Sequence, residues 1–173
     1  MKAFWMTVRL AATCGLLAAC AKNTDDPVEL RTPHKAEFSA VSSVLEQRCG
    51  GLDCHGQPAR NMRIFGVYGL RLDGRDVPGG RDTTPDEVEA TFQSLVTIDP
   101  ERLSQVSAAK GEGAETWLPL SKGRGREAHQ GGARLNPGAP ADQCVVSWLA
   151  DKIDFDACAG DDFGPKPLPD ETW

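Results

Sequence analysis

The 173-residue sequence is poor in aromatic side chains, which make up 6%, and it has only one Tyr, three His and three Met. A sequence with so few large apolar side chains can build only a small core. Its stability is therefore expected to depend on cross-links or on a bound group. Positive charge is also scarce, because 19 Lys and Arg stand against 25 Asp and Glu, a formal net charge of −6. A nucleic-acid partner is therefore not expected, since phosphates are bound by cationic surfaces.

The motifs of common enzymes are missing as well. No glycine-rich phosphate loop follows a predicted strand, and there is no nucleophile elbow of the hydrolase type. The spacing of Cys and His matches no common zinc module. What the chain does have is 18 Gly, 12 Pro and six Cys, a composition that indicates a small globular domain with long loops.

The first twenty residues have the pattern of an export signal. A basic start precedes an apolar run at residues 10–19 that is too short to span a bilayer. The run ends in Leu-Ala-Ala-Cys at residues 17–20, which resembles the lipobox of bacterial lipoproteins. The resemblance implies that residues 1–19 are removed and that lipid on Cys20 holds the protein on a membrane, with the outer membrane favoured and the domain facing the periplasm or the exterior. An ordinary secretory signal or a short membrane anchor is the alternative.

The composition divides the rest of the chain into three segments. Residues 20–35 are polar, with two prolines, and are interpreted as a lipidated tether. Residues 36–158 carry the apolar periodicity of a folded domain, and residues 159–173 are predicted to be an extended tail. Export places the cysteines of the folded part in an oxidising compartment, where thiols pair or react. These cysteines are Cys49, Cys54, Cys144 and Cys158.

The most specific motif is Cys49-Gly-Gly-Leu-Asp-Cys54-His55, which follows a predicted amphipathic helix beginning near Phe38. Two cysteines with a His directly after the second resemble the haem-attachment motif of c-type cytochromes, although the spacer here has four residues instead of two. The resemblance implies one covalent haem c on the two thiols, with His55 as the proximal iron ligand. It further implies an electron carrier rather than an enzyme, working with redox partner proteins. A disulfide between Cys49 and Cys54 is the alternative.

A second iron ligand has several candidates. His129, in a glycine-rich stretch before the last predicted helix, is the first choice, because similar His-Gly-Gly stretches occur near the end of cytochrome-like domains. Met62 is a less favoured distal ligand, and His34 is third. Leu118 stands where a Met would be expected in the family. Without a second protein ligand, the iron would be five-coordinate and open to small molecules, as in a peroxidase.

The resemblance also implies a mostly α fold, a small cytochrome c-like helical domain with long irregular loops, in which the first and last helices pack together. Trp148 of the last helix is expected against Phe38 or Val41 of the first. A middle helix should begin after Thr84, where Thr-Pro-Asp-Glu forms a capping box. The last helix begins near Pro140, and its predicted apolar stripe is Val145, Trp148, Leu149 and Ile153. Residues 61–72 fit neither the helical nor the strand period.

Once the haem motif uses two cysteines, Cys144 and Cys158 are left to form a disulfide, worth about 3 kcal/mol for a loop of this size. Without haem, the cysteines permit several connectivities. The rival interpretation is therefore a disulfide-stapled structural or partner-binding lipoprotein with no redox centre.

Basic side chains closely follow the motif. A guanidinium matches a carboxylate in geometry, so these side chains are candidates to pair with haem propionates. Solvated surface charge is the more common outcome for any one of them. The candidates are Arg60, Arg63, Arg71 and Arg75.

Overall fold

The computed structural model describes residues 29–160, so the predicted signal segment, Cys20 and nearly all of the predicted tail lie outside the described residues. Within that range the domain is mostly helical, with long loops and no β-strand. No helix in this part of the chain is long and apolar enough to cross a membrane. The helices are α1 Phe38–Cys49, α2 Pro85–Val96, α3 Pro100–Ala108, α4 Leu118–Gly123, α5 Pro140–Leu149 and α6 Phe155–Cys158, with 3₁₀ turns at Lys35–Glu37 and Ala114–Thr116.

Three aromatic side chains join the first helix to α2 and α5. The ring of Phe38 in α1 lies 5.1 Å from that of Phe92 in α2 and 5.2 Å from that of Trp148 in α5. All three are buried, and such ring pairs add roughly 0.5–1.5 kcal/mol beyond the area they bury. The predicted contact between Trp148 and Phe38 is confirmed. The aromatic cluster lies at the start of α1, and Cys49 is at the opposite end of that helix.

The start of α2 is held by the predicted capping box. The Thr84 hydroxyl accepts the Glu87 backbone N–H, and the Glu87 carboxylate accepts the N–H of Thr84. The same carboxylate pairs with Arg71, with a nitrogen–oxygen distance of 2.8 Å, and both side chains are buried. The residues after the Cys-Cys-His motif are therefore tied to α2 through one buried ion pair.

The last long helix, α5, begins at Pro140 as predicted but ends at Leu149. Ile153, which was predicted on its apolar stripe, lies in the following turn instead. The cause is Asp151, whose left-handed backbone (φ 53°) interrupts helical geometry. Lys110 Nζ binds the Asp151 carboxylate at 2.7 Å and fixes this turn.

Cys144 and Cys158 form the predicted disulfide, with an S–S distance of 1.98 Å. Cys144 lies within α5 and Cys158 ends α6, so the bond joins these two helices. Both sulfurs are buried against the core. The short helix α6, which has one turn of its own, is thereby fixed to the domain.

The chain before α1 contacts the domain over part of the predicted tether. Pro33 is fully buried, and the Trp148 indole N–H donates to the His34 carbonyl at 3.0 Å. The Arg31 backbone N–H donates to the Ser104 hydroxyl at 3.0 Å. Residues 31–34 are therefore attached to α3 and α5 by specific contacts.

Candidate functional site

The Cys-Cys-His motif forms a closed loop on the end of α1. The helix ends at Cys49, and the Gly50 N–H donates to the Glu46 carbonyl at 2.9 Å. The chain then turns back, so that the His55 N–H donates to the Cys49 carbonyl, also at 2.9 Å. A further bond runs from the Cys54 N–H to the Gly51 carbonyl. The four-residue spacer is thus accommodated by backbone hydrogen bonds, and it brings His55 back to the helix end.

Three glycines allow this loop to close. A Cβ on Gly56 or on Gly69 would overlap the carbonyl oxygen of Gly50, so backbone packs directly on backbone at this point. A Cβ on Gly50 would itself lie 2.6 Å from the Glu46 carbonyl oxygen. Only glycine fits such approaches. The loop that carries both cysteines therefore has little freedom to change shape.

The ring of His55 is oriented by a backbone carbonyl. Its Nδ1 lies 2.9 Å from the Met62 oxygen, and because a carbonyl can only accept, Nδ1 carries the proton. Nε2 is then left with a free lone pair, the form in which histidine binds metals. Burial lowers the pKa of His55, which keeps the ring neutral. Met62 contributes its main chain here, while its side chain packs at the edge of the core.

His129 lies directly beside His55. The ring centroids are 5.7 Å apart and the ring planes differ by 20°. The two rings therefore lie nearly parallel, as a stacked pair. The Nδ1 atom of His129 is 3.4 Å from the Gly132 carbonyl, a long contact within its own loop. The structure therefore brings together the two histidines that sequence analysis put first.

A bare metal ion would find few protein ligands here. Among residues 29–160 there is no cluster of three or more His, Cys, Asp or Glu arranged to hold one.

Both cysteines of the motif are free thiols, Cys49 buried and Cys54 half-buried. Burial raises the pKa of Cys49 to about 12 and also raises the pKa of Cys54. Neither forms a thiolate at neutral pH, and the thiolate is the species that attacks disulfides. The raised pKa values therefore slow thiol exchange at both cysteines.

An apolar cavity of about 490 Å³ opens beside Cys49 and the two histidines. This volume lies in the range of small-molecule and cofactor sites, about 300–1,000 Å³. Its walls come from four helices and the segment before α4. The main apolar lining residues are Leu45, Leu95, Ile98, Trp117, Leu120 and Val145.

Trp117 lines this cavity with its apolar surface. Its side chain is 1% exposed, and its indole N–H is buried without a hydrogen-bond partner. A buried donor without a partner costs about 1–3 kcal/mol. Leu118, next along the chain, also lines the cavity and offers no atom that could bind a metal.

A polar cavity of about 320 Å³ adjoins the apolar one. The two share His55, Arg60 and His129. Arg60 is hydrogen-bonded to the motif loop: its Nε donates to the Cys54 carbonyl at 3.0 Å, and its Nη2 donates to the Asp53 carbonyl at 3.2 Å. The site therefore consists of one cavity lined mainly by apolar side chains and one lined mainly by polar and charged side chains.

The other arginines proposed from sequence lie elsewhere. Arg71 pairs with Glu87 in the core, and Arg75 pairs with Asp73 at the surface, so the propionate role suggested for these two was wrong. Arg63 is exposed and lines neither cavity. His34, the third ligand candidate, lines neither cavity and binds α5 through its backbone.

Three contributors to the site were missed in the sequence: the Met62 carbonyl, the Trp117 indole and Arg134, which lines the polar cavity. A backbone carbonyl has no sequence signal. Trp117 and Arg134 reach the site only through the packing of distant segments.

Comparison with family models, curated proteins and solved structures finds no match for this chain. The resemblance to c-type cytochromes thus rests on the motif residues alone. Function must be argued from the chemistry of the site.

Proposed function

We propose that this domain binds one haem covalently through Cys49 and Cys54 and carries single electrons between redox partner proteins of the cell envelope. In this proposal His55 and His129 are the two iron ligands. The observation that carries it is the pair of imidazoles 5.7 Å apart, both lining an apolar cavity with Cys49. The residues fit the group, since Cys49 and both histidines line one cavity whose other walls are mainly apolar.

The two thiols are suited to form thioethers. In each addition a sulfur–carbon bond forms at a vinyl group, the thiol hydrogen goes to the other vinyl carbon, and no oxidant is consumed. Cys49 and Cys54 are both available as free thiols. The bond from the His55 N–H to the Cys49 carbonyl keeps the histidine close to the attachment points in spite of the longer spacer.

When bound, haem supplies an iron centre that takes up and releases one electron. The part of the chain is to hold that centre: the Met62 carbonyl orients His55, and apolar walls exclude water. A neutral imidazole on each side favours a lower reduction potential than a His–Met pair, because a thioether stabilises reduced iron.

Membrane attachment through lipid on Cys20 and location in the cell envelope belong to the same proposal. The Cys144–Cys158 disulfide supports an exported protein, because such bonds persist in oxidising compartments. Cys20 itself is outside the described residues.

The test is to produce the full chain in a host that makes c-type cytochromes and to record its absorption spectrum. We expect a red protein whose reduced visible bands survive acid-acetone extraction, and loss of covalent haem in the double variant C49S/C54S. A colourless protein with Cys49 and Cys54 joined by mass analysis would instead favour the disulfide-stapled lipoprotein.

The second ligand is tested separately with His129→Ala. We expect altered ferric bands and a shifted midpoint potential. His34→Ala is the matched control, since His34 lines neither cavity, and it should leave both unchanged. A spectrum of His129→Ala identical to that of the parent would remove His129 as a ligand.

A further inference from the structure

Arg60 and Arg134 line the polar cavity and have no acidic partner in the described part of the chain. Within residues 29–160, neither Arg60 nor Arg134 forms an ion pair with Asp or Glu. Four other arginines do: the pairs are Arg71–Glu87, Arg75–Asp73, Arg81–Asp76 and Arg124–Asp142.

Backbone carbonyls hold both unpaired guanidinium groups at the polar cavity. Arg60 donates from Nε and Nη2 to the Cys54 and Asp53 carbonyls, and Arg134 donates from Nε to the Gly131 carbonyl at 2.7 Å. A guanidinium has about five N–H donors, so both retain donors beyond these bonds. The backbone bonds position the charge without neutralising it.

The acid that lines this cavity does not neutralise them either. Asp53 forms no ion pair in the described part of the chain, and its carboxylate interacts with the Cys54 thiol. Other arginines without an acidic partner, such as Arg63 and Arg126, are exposed and line neither cavity. Among the arginines of residues 29–160, only Arg60 and Arg134 combine an unneutralised charge with a cavity, and Lys122, also without an ion pair, adds positive charge to the apolar cavity.

We propose that Arg60 and Arg134 bind the carboxylate groups of a tetrapyrrole whose ring occupies the apolar cavity. This inference rests on the proposed function and names the residues that orient the ligand. An apolar cavity joined to a cationic polar cavity matches a flat apolar ring with carboxylates on one edge, and arginine binds carboxylates in two-pronged geometry. The two cavities share His55, Arg60 and His129, so one ligand can occupy both.

The experiment uses the full chain made in a host without haem-attachment machinery, so that the thiols stay free. Metal-free mesoporphyrin and its uncharged dimethyl ester are titrated while the tryptophan fluorescence, to which Trp117 in the cavity contributes, is recorded. We expect the diacid to bind about tenfold tighter or more than the ester, a difference typical of one charge-assisted contact. Inorganic phosphate is titrated in parallel at matched ionic strength.

Arginine variants locate the effect. R134Q should reduce the preference for the diacid by about tenfold, and R60Q/R134Q should abolish it. Arg60 also donates hydrogen bonds to the motif loop, so the second variant at this position is R60K, which keeps the positive charge but loses the two-pronged geometry of the guanidinium. R63Q is the matched control and should behave as the parent does. Circular dichroism and urea midpoints establish that each variant is folded.

Each of the following results would contradict the inference or the proposed function on which it rests. Equal affinity of the parent for diacid and ester would remove the carboxylate contact. Arginine-dependent binding of phosphate without a preference for the diacid would assign the cavity to a free anion. If neither porphyrin binds and the chain from the cytochrome-producing host is colourless, the proposed function itself fails. A red protein that shows no diacid preference would refute only the arginine clamp.

Discussion

The two facing histidines are held in different ways. His55 belongs to a loop whose glycines pack backbone on backbone, and its N–H, its carbonyl and its ring Nδ1 all make hydrogen bonds of 2.9 Å. His129 lies in a loop that is otherwise mostly exposed. The ends of that loop are attached by the N–H groups of Arg126 and Arg134, while its internal backbone bond runs from the Gly132 N–H to the His129 carbonyl.

This difference indicates where a bound group would be accommodated. The His55 loop presents a ligand in a fixed orientation, since moving it would disturb α1 and the glycine contacts. The His129 loop can shift without breaking bonds to the core, because few of its contacts leave the loop. Reorganisation on binding is therefore expected on the His129 side.

The largest expected effect comes from filling the glycine contact in the His55 loop. Gly56→Ala places a Cβ against the Gly50 carbonyl, and because both partners are backbone, no rotamer can relieve the overlap. We expect the free energy of unfolding to fall by about 3 kcal/mol, at the upper end for overpacking. Urea denaturation measures this loss. Gly74→Ala is the control, since a Cβ there meets nothing within 4 Å. Equal stability of the two variants would show that the loop is not rigid.

The next effect concerns the buried ion pair that ties the segment after the motif to α2. Burial alone would raise the pKa of Glu87, but hydrogen bonds from Arg71 and from the backbone of Thr84 and Leu72 outweigh it and lower the pKa to about 2. The ionised carboxylate therefore stabilises the fold fully above the ordinary value of 4.5, and this stabilisation is lost as the pH falls from there toward 2.

Glu87→Gln should accordingly lower the free energy of unfolding by about 2–3 kcal/mol at neutral pH, because a buried guanidinium loses its counter-charge. The gap to the parent should shrink as the pH approaches the pKa of about 2. Glu89→Gln on the same helix is the control, since its ion pair with Lys35 is partly exposed to solvent, at 40% for the Glu89 side chain, and its effect should be small. A gap that is independent of pH would contradict the assignment.

The smallest effect separates the two histidines directly in the protein without haem. His55→Ala removes the half-buried bond to the Met62 carbonyl and should cost about 1 kcal/mol. His129→Ala removes only a 3.4 Å contact within its own loop and should cost less than about 0.5 kcal/mol. Both are read from urea midpoints. If His129→Ala were the more destabilising variant, the contrast between the two loops would be mistaken.

Local signals account for the parts of the fold that sequence analysis predicted. The helix ending at Cys49, the capping box at Thr84 and the helix start at Pro140 each depend on residues within one or two turns. The disulfide between Cys144 and Cys158 was predicted because the resemblance to a haem motif assigned the other two cysteines of the folded part to haem, and the structure contains this bond. Helices α3, α4 and α6 were not predicted: they have nine, six and four residues, so each is too short for an apolar period to be recognised in the sequence.

The candidate site was predicted by residue type but not by geometry. The motif identified Cys49, Cys54 and His55, and a resemblance suggested His129. No pattern in the sequence could show that Met62 would act through its carbonyl, or that Arg134 would lie at the same cavity as Arg60. Such contacts depend on how loops far apart in the chain pack together.

The hydrogen bond from Trp148 to the His34 carbonyl fixes the end of the domain at which a lipid-anchored chain would enter. It attaches the incoming chain beside the start of α1, whereas both imidazoles lie beyond its last residue. The helix between them has 12 residues, a length of about 18 Å. If Cys20 carries lipid as proposed, the membrane attachment would lie on the side of the start of α1, and the two histidines would lie at the other end of that helix, within reach of proteins in the aqueous phase.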